Sequence, residues 1–333
     1  MATPRDGGSD IRAASAPKTW GGLPRFDPLR GAIIRAPDGV GPGYWVGAPT
    51  ATRCGSHYYL CYRVRRPRPE RGVEGRIAVS DDGLHFEDIF RLHKSALETD
   101  SIERCCLFQT DDGLYHYAVS SVDPEDGRWR TDILSAPRPD GFSSDGRRPV
   151  LTAADINAEG VKDPNVYRVG GLYWMLLSYA PRPASAAPVE AMHATGDVYN
   201  TGLTRSHSGM ATSPDGRRWR WIGDVLSPSE NGWDAYAARL GSVVYTPPAF
   251  VGLYDGSRDV GENYEECCGL AMSLDLRHWE RLTPDGPWVV APHGSGSVRY
   301  VDVLAEESRW LFYFEMARAD GSHDLRVAEV PRL

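Results

Sequence analysis

Three short segments of this chain hold carboxylates in settings that suit proton transfer. Lys162-Asp163-Pro164 places an aspartate between a proline and one of only three lysines, the others being Lys18 and Lys94. Ser101-Ile102-Glu103-Arg104 sets a glutamate beside an arginine. Tyr254-Asp255-Gly256 runs into Glu262-Asn263-Tyr264-Glu265-Glu266, which crowds Asp255, Glu262, Glu265 and Glu266 into one stretch. Like charges held close raise the pKa of one member, which suits a general acid, while an ionised neighbour suits a base. Glu103, Asp163 and Asp255 are therefore the candidate catalytic residues. Each also has a plainer reading. Asp-Pro commonly opens a turn, Glu103 can form an internal salt bridge, and the acidic stretch can bind Ca²⁺ or simply face solvent.

The elements that must position these groups are announced by a repeat. Ser80-Asp81-Asp82-Gly83-Leu84-His85-Phe86, Ser213-Pro214-Asp215-Gly216-Arg217-Arg218-Trp219 and Ser273-Leu274-Asp275-Leu276-Arg277-His278-Trp279 spell one phrase, each after a small apolar strand. A weaker copy runs Ser135 to Phe142, and Val327-Ala328-Glu329 stands where a fifth would begin. A period of about 60 residues, made of short strands and tight turns, indicates propeller blades. Each repeat extends backward into two alternating strands, such as Pro164 to Val169 and Leu172 to Tyr179 around Gly170-Gly171. The last repeat lacks an outer strand, and Ala32-Ile33-Ile34 can supply it. The expected fold is all-β, a five-bladed β-propeller closed by an N-terminal strand. Residues 1–25 read as a flexible arm and residues 26–333 as the single propeller domain. The Asp82 and Asp215 carboxylates belong to the repeated turns, since chemistry needs unique residues rather than repeated ones.

The chain has 333 residues, 41% of them hydrophobic, enough for a large core, and a net charge of −8 that argues against a nucleic-acid partner. No apolar run marks a membrane span or a signal peptide, so no membrane partner and a cytoplasmic location are expected. Six cysteines, including the adjacent pairs Cys105-Cys106 and Cys267-Cys268, show no Cys-x-x-Cys spacing. Neighbours in a strand face opposite ways, so these pairs read as buried thiols rather than disulfides. No metal site or cofactor is expected, Ca²⁺ in the acidic stretch being the one candidate and having no specific motif.

The blade pattern over residues 30–333, together with Lys162-Asp163-Pro164 opening an inner strand, resembles the five-bladed propeller glycosidases of glycoside hydrolase families 32, 43, 68, 117 and 130. The resemblance implies a sugar-like small-molecule substrate, acid/base catalysis by carboxylates in the central funnel, and an Asp163 that adjusts the acid and fixes the sugar. Glycoside hydrolysis needs two carboxyl groups. Where family 43 has an aspartate at the start of the first blade, this chain reads Val46-Gly47-Ala48-Pro49. Trp45, Tyr44, Tyr179 and Trp233 offer faces for sugar stacking, though aromatics also fill the space between blades. Arg63, Arg65 and Arg299 suit an anionic group, and Arg104, Lys162 and Glu265 complete the expected binding set. Two other functions fit the same sequence: a non-hydrolytic biosynthetic enzyme (elimination, cyclisation or rearrangement), and a sugar-binding propeller without turnover.

Overall fold

The computed structural model describes residues 22–183 and 189–332. The expected arm therefore lies outside the described residues as far as residue 21. Leu23, within the expected arm, and Phe26, at the start of the expected domain, are buried against the body of the protein.

After β1 (Ala32–Arg35) come four four-stranded blades and a fifth of three. The first is β2 (Trp45–Cys54), β3 (His57–Arg66), β4 (Arg71–Ser80) and β5 (Glu87–His93). The second is β6 (Ile102–Gln109), β7 (Tyr115–Val122), β8 (Trp129–Ala136) and β9 (Arg148–Leu151). The third is β10 (Ala158–Val169), β11 (Leu172–Pro181), β12 (His207–Ser213) and β13 (Arg220–Leu226), with α1 (Val189–His193) between β11 and β12. The fourth is β14 (Ala237–Thr246), β15 (Ala249–Ser257), β16 (Cys267–Ser273) and the short β17 (Glu280–Arg281). The fifth is β18 (Val298–Ala305), β19 (Arg309–Ala317) and β20 (His323–Pro331). β1 pairs antiparallel with β20, Ala32 opposite Val327, and so completes the fifth blade from the other end of the chain.

Packing between blades explains why the second strands are apolar along almost their whole length. Leu311, Phe312, Tyr313 and Phe314 in β19 are all fully buried, because both faces of that strand meet a neighbouring blade. Each interface carries its own apolar core. Tyr59, Cys61 and Ile77 meet Cys105, Leu107 and Tyr117 between the first two blades. Equivalent clusters follow between blades two and three, three and four, and four and five. A last one, joining Tyr58 and Leu60 to Leu311 and Tyr313, closes the ring. Leu23 and Phe26 join the cluster between blades four and five, where Phe26 stacks on Phe312 at 4.6 Å and meets Trp288 edge-on at 5.6 Å.

The repeated turns are built as their composition requires. Ser80 Oγ accepts the Gly83 amide at 2.9 Å, and Asp82 Oδ1 accepts the amides of Leu84 and His85. Asp215 and Asp275 do the same in their blades. Gly83 has φ +74, and a Cβ there would lie 2.7 Å from Leu311. Each aspartate therefore holds the turn between a third and a fourth strand.

Phe26→Ala removes the ring that links the N-terminal segment to blades four and five. It should cost about 3–5 kcal/mol of unfolding free energy, read as a lower midpoint in urea with an unchanged slope.

Candidate active site at the propeller axis

Every inner strand breaks its register near the axis. The irregularities fall between Gly47 and Thr50, Ile102 and Cys105, Lys162 and Asn165, Leu240 and Ser242, and Arg299 and Asp302. Bulges bend the strand and re-aim side chains, and these five turn one or two residues per blade toward the channel. Ala48, Asp163 and Tyr300 occupy three of them with φ of 51, 62 and 51°. Backbone of this kind is strained for residues with a Cβ and concentrates at functional sites. It is held in place by side chains of the preceding blade. The Ala48 amide donates to Glu315 Oε2 at 2.9 Å, the Asp163 amide to Ser120 Oγ at 2.7 Å, and the Tyr300 amide to both Asp255 oxygens at 2.9 and 3.1 Å.

The charged groups the bulges bring together form one buried chain. Arg65 pairs with Glu103, which Arg63 Nε also reaches at 2.8 Å. Arg63 continues to Glu315 at 3.2 Å, and Arg299 joins Glu315 to Glu266, both at 2.7 Å. Arg239 ends the chain on Glu266 at 2.8 Å. All seven side chains are at most 5% exposed. Burial alone would raise the pKa of Glu103, but the charges of Arg65, Arg63 and Lys162 outweigh it and hold the carboxyl well below its usual range. Glu315 and Glu266 are kept ionised in the same way by Arg299 with Arg63 and by Arg239 with Arg299. Asp255 goes the other way. Burial, reinforced by the charge of Glu266, pushes it up to about 7.

A cover closes over this chain. Tyr264, with φ +80, donates its hydroxyl to Asp197, and its ring lies 4.9 Å from the Arg65 guanidinium and 5.8 Å from Trp45. Asp197 also accepts the Trp129 indole N–H at 3.1 Å and the Tyr199 amide at 3.3 Å. His323 is fully buried, 2.8 Å from Glu315 through Nδ1 and 3.0 Å from Glu265 through Nε2. It ties the loop before β16 to the axis.

The expected catalytic residues come together only in part. Glu103 and Asp163 both occupy axial bulges of adjacent blades. Asp163 is 4% exposed, and neither of its carboxylate oxygens meets a hydrogen-bond donor. Asp255 sits behind the axis, with both oxygens on the Tyr300 amide. Of the expected binding residues, Trp45, Arg63, Lys162 and Arg299 lie at the axis, and Glu265 is on the cover. Arg104 is there too, and its guanidinium donates to the carbonyls of Pro49 and Gly241, so it braces two bulges. Tyr179 is engaged within its own blade. Its hydroxyl donates to Asp224 at 2.9 Å and its ring packs on Trp221, because this register points it along the blade toward the outer strand. Trp233 stacks on Tyr254 between strands and donates to the Thr283 carbonyl.

The carboxylates of the acidic stretch take different partners, although Glu266 stays near enough to Asp255 for its charge to raise that pKa. Asp255 faces Tyr300, Glu262 faces Arg258, Glu265 faces His323, and Glu266 faces the two arginines. Among the described residues, no group of three His, Cys, Asp or Glu side chains is arranged to hold a metal ion. Sequence reasoning passed over Asp197, His323 and Arg71. Asp197 and His323 lie in loops or at strand starts with no motif, and only the closed ring brings them to the axis.

No family profile matches the sequence, and no curated protein does. Solved structures match in fold. A glycosyl hydrolase from Bacteroides ovatus shares 17% identity over 96% of each chain, with a TM-score of 0.63. A glycoside hydrolase shares 14% over 90% of each chain, with a TM-score of 0.67. A β-1,2-mannobiose phosphorylase from Listeria innocua shares 15% over 92% of this chain and 96% of its own, with a TM-score of 0.60. At these identities the likeness establishes the propeller architecture.

The pKa of Asp255 has a consequence for stability. Its ordinary value is 3.8, and the folded protein holds the proton up to about 7. The unfolded chain releases it earlier, so this group's stabilising contribution is complete below the ordinary value and is lost as pH rises through about 7. Relative to Asp255→Asn, the native protein should therefore lose stability across that window and run parallel to it above, as read by urea unfolding at stepped pH.

Proposed function

We propose that the protein acts on a glycoside or a similar polyhydroxylated small molecule at the propeller axis. The observation that carries this reading is Asp163: a carboxylate in a strained axial bulge, almost fully buried, with both oxygens unpartnered. A buried carboxylate without donors is costly, and the hydroxyls of a sugar are donors of the right kind. Tyr199 and Tyr300, whose phenols feel the Asp163 charge, line its surroundings. In this reading Asp163 contacts the sugar and serves the proton transfer at the bond to be broken. Glu103, kept ionised by Arg63 and Arg65, is the base or charge stabiliser of the pair. Asp255 is a positioning residue, acting through the Tyr300 amide. The glycosidase-like architecture of the fold neighbours supports the substrate class and says nothing of the particular sugar.

A second reading, sugar binding without turnover, is favoured by a specific feature. Glu103, Glu266 and Glu315 are each paired with two arginines, and Ala48 brings no carboxylate to its bulge.

A turnover screen with aryl glycosides and underivatised oligosaccharides, with and without phosphate, separates the two. Asp163→Asn should lower kcat by about 10²–10⁴-fold with the fold intact by circular dichroism, and Glu103→Gln should lower it comparably. Saturable binding with no product from wild type, on every sugar that binds, would establish the second reading instead.

A further inference from the structure

One corner of the axis holds buried cationic N–H groups that no carboxylate accepts. Arg71 opens β4 with φ +61 and is 4% exposed. Its Nε and Nη2 meet no acceptor, and the nearest carboxylate, Asp197, is 4.0 Å away. That carboxylate is already engaged by Trp129, Tyr199 and Tyr264. Lys162 is 1% exposed beside it. Its ammonium lies 4.9 Å from the Trp129 ring centre and 4.6 Å from that of Tyr199, and its charge acts on Asp197 and Glu103. Glu103 is shared between Arg63 and Arg65, Arg63 Nη1 also lacks an acceptor, and Asp163, the third carboxylate here, meets no donor with either oxygen. Burial lowers the pKa of Arg71 despite Asp197, as expected of a cation short of counter-charge. Arg68, exposed on the turn leading to Arg71, donates to the Thr195 carbonyl at 2.8 Å and extends the positive charge outward to solvent.

A buried guanidinium with free N–H groups is a receptor for an oxyanion, since its planar fork matches a carboxylate or phosphate with two parallel hydrogen bonds. The Trp129 and Tyr199 rings beside Lys162 supply apolar walls of the kind that accompany a sugar ring. We propose that the ligand received at the axis is an acidic sugar, bearing a carboxylate or a phosphate ester, and that Arg71 and Lys162 hold its anionic group. This rests on the reading of the axis as a sugar site. Arg71 and Lys162 are binding residues in it, and no covalent step is assigned to them.

The test is isothermal titration of the full chain with matched pairs: glucuronate against glucose, galacturonate against galactose, mannose 6-phosphate against mannose, and inorganic phosphate alone. At least one acidic member should bind about 10- to 100-fold more tightly than its neutral partner, the worth of one or two charged hydrogen bonds. Arg71→Met and Lys162→Met should abolish that preference, and Arg71→Lys should restore part of it. Without ligand, Arg71→Met should melt within a few degrees of wild type, because it removes a buried charge whose pairing with Asp197 at 4.0 Å and with the Trp129 ring at 5.5 Å is weak. Equal binding of acidic and neutral members would overturn the anionic assignment and leave the axial sugar site standing. Binding of no sugar of either kind would remove both. Inorganic phosphate binding as tightly as the sugar phosphate would show that the anion is not part of the sugar. An Arg71→Met protein that melts several degrees lower yet keeps the acidic preference would make Arg71 structural.

Discussion

The organisation of the axis depends on one buried chain of alternating charge: Arg65, Glu103, Arg63, Glu315, Arg299, Glu266 and Arg239. Five inner strands converge there, and their bulges free backbone and side-chain polar groups where no water layer can answer them. Sharing each carboxylate between two guanidiniums meets that demand. A pair of this kind gains little against an apolar core, but losing one member strands its partner. The chain draws on blades one, two, five and four. Blade three stands outside it, and its axial carboxylate, Asp163, is left without a donor on either oxygen.

A second layer governs access. The Asp197 loop of blade three and the Tyr264 loop of blade four are bonded to each other, and Tyr236 donates to the Tyr199 carbonyl at 2.7 Å beneath them. Met192 of α1 packs with Val198 and Tyr199 on Val122 and Trp129, which seats the cover on blade two. His323 fastens the other side through Glu265. With Asp163, Lys162 and Arg71 at most 4% exposed, a ligand reaches them only when these loops move. Long loops on a rigid scaffold are the usual place for such gating.

The departure at Ala48 gains a structural meaning from the bulges. It occupies the blade-one counterpart of Asp163, with nearly the same backbone angle, and its amide is held by Glu315. A Cβ on Gly47 would fall 2.3 Å from Glu315 Oε2, so the carboxylate from blade five packs where the strand of blade one is bare. Negative charge at this part of the axis thus comes from a neighbouring blade, and there it is committed to Arg299, Arg63 and His323.

Much of the architecture was legible in the chain alone. Ser-x-Asp-Gly turns report their geometry directly, because the serine and aspartate bond to amides two and three residues on. Alternating apolar strands report which residues are buried, and the missing outer strand of the last repeat pointed to Ala32–Ile34. Asp163 was visible through its lysine and proline. Tyr179 and Arg104 were not readable in the same way. The first turns to Asp224 and Trp221 on the outer strand of its blade, and the second finds its acceptors on Pro49 and Gly241, far away in sequence. Asp197, His323 and Arg71 share no motif, and what they do depends on partners from other blades. Local interactions between near neighbours set the turns and strands, which sequence encodes. The pairing of buried charges across a closed ring depends on which distant residues meet, and only the tertiary structure decides that.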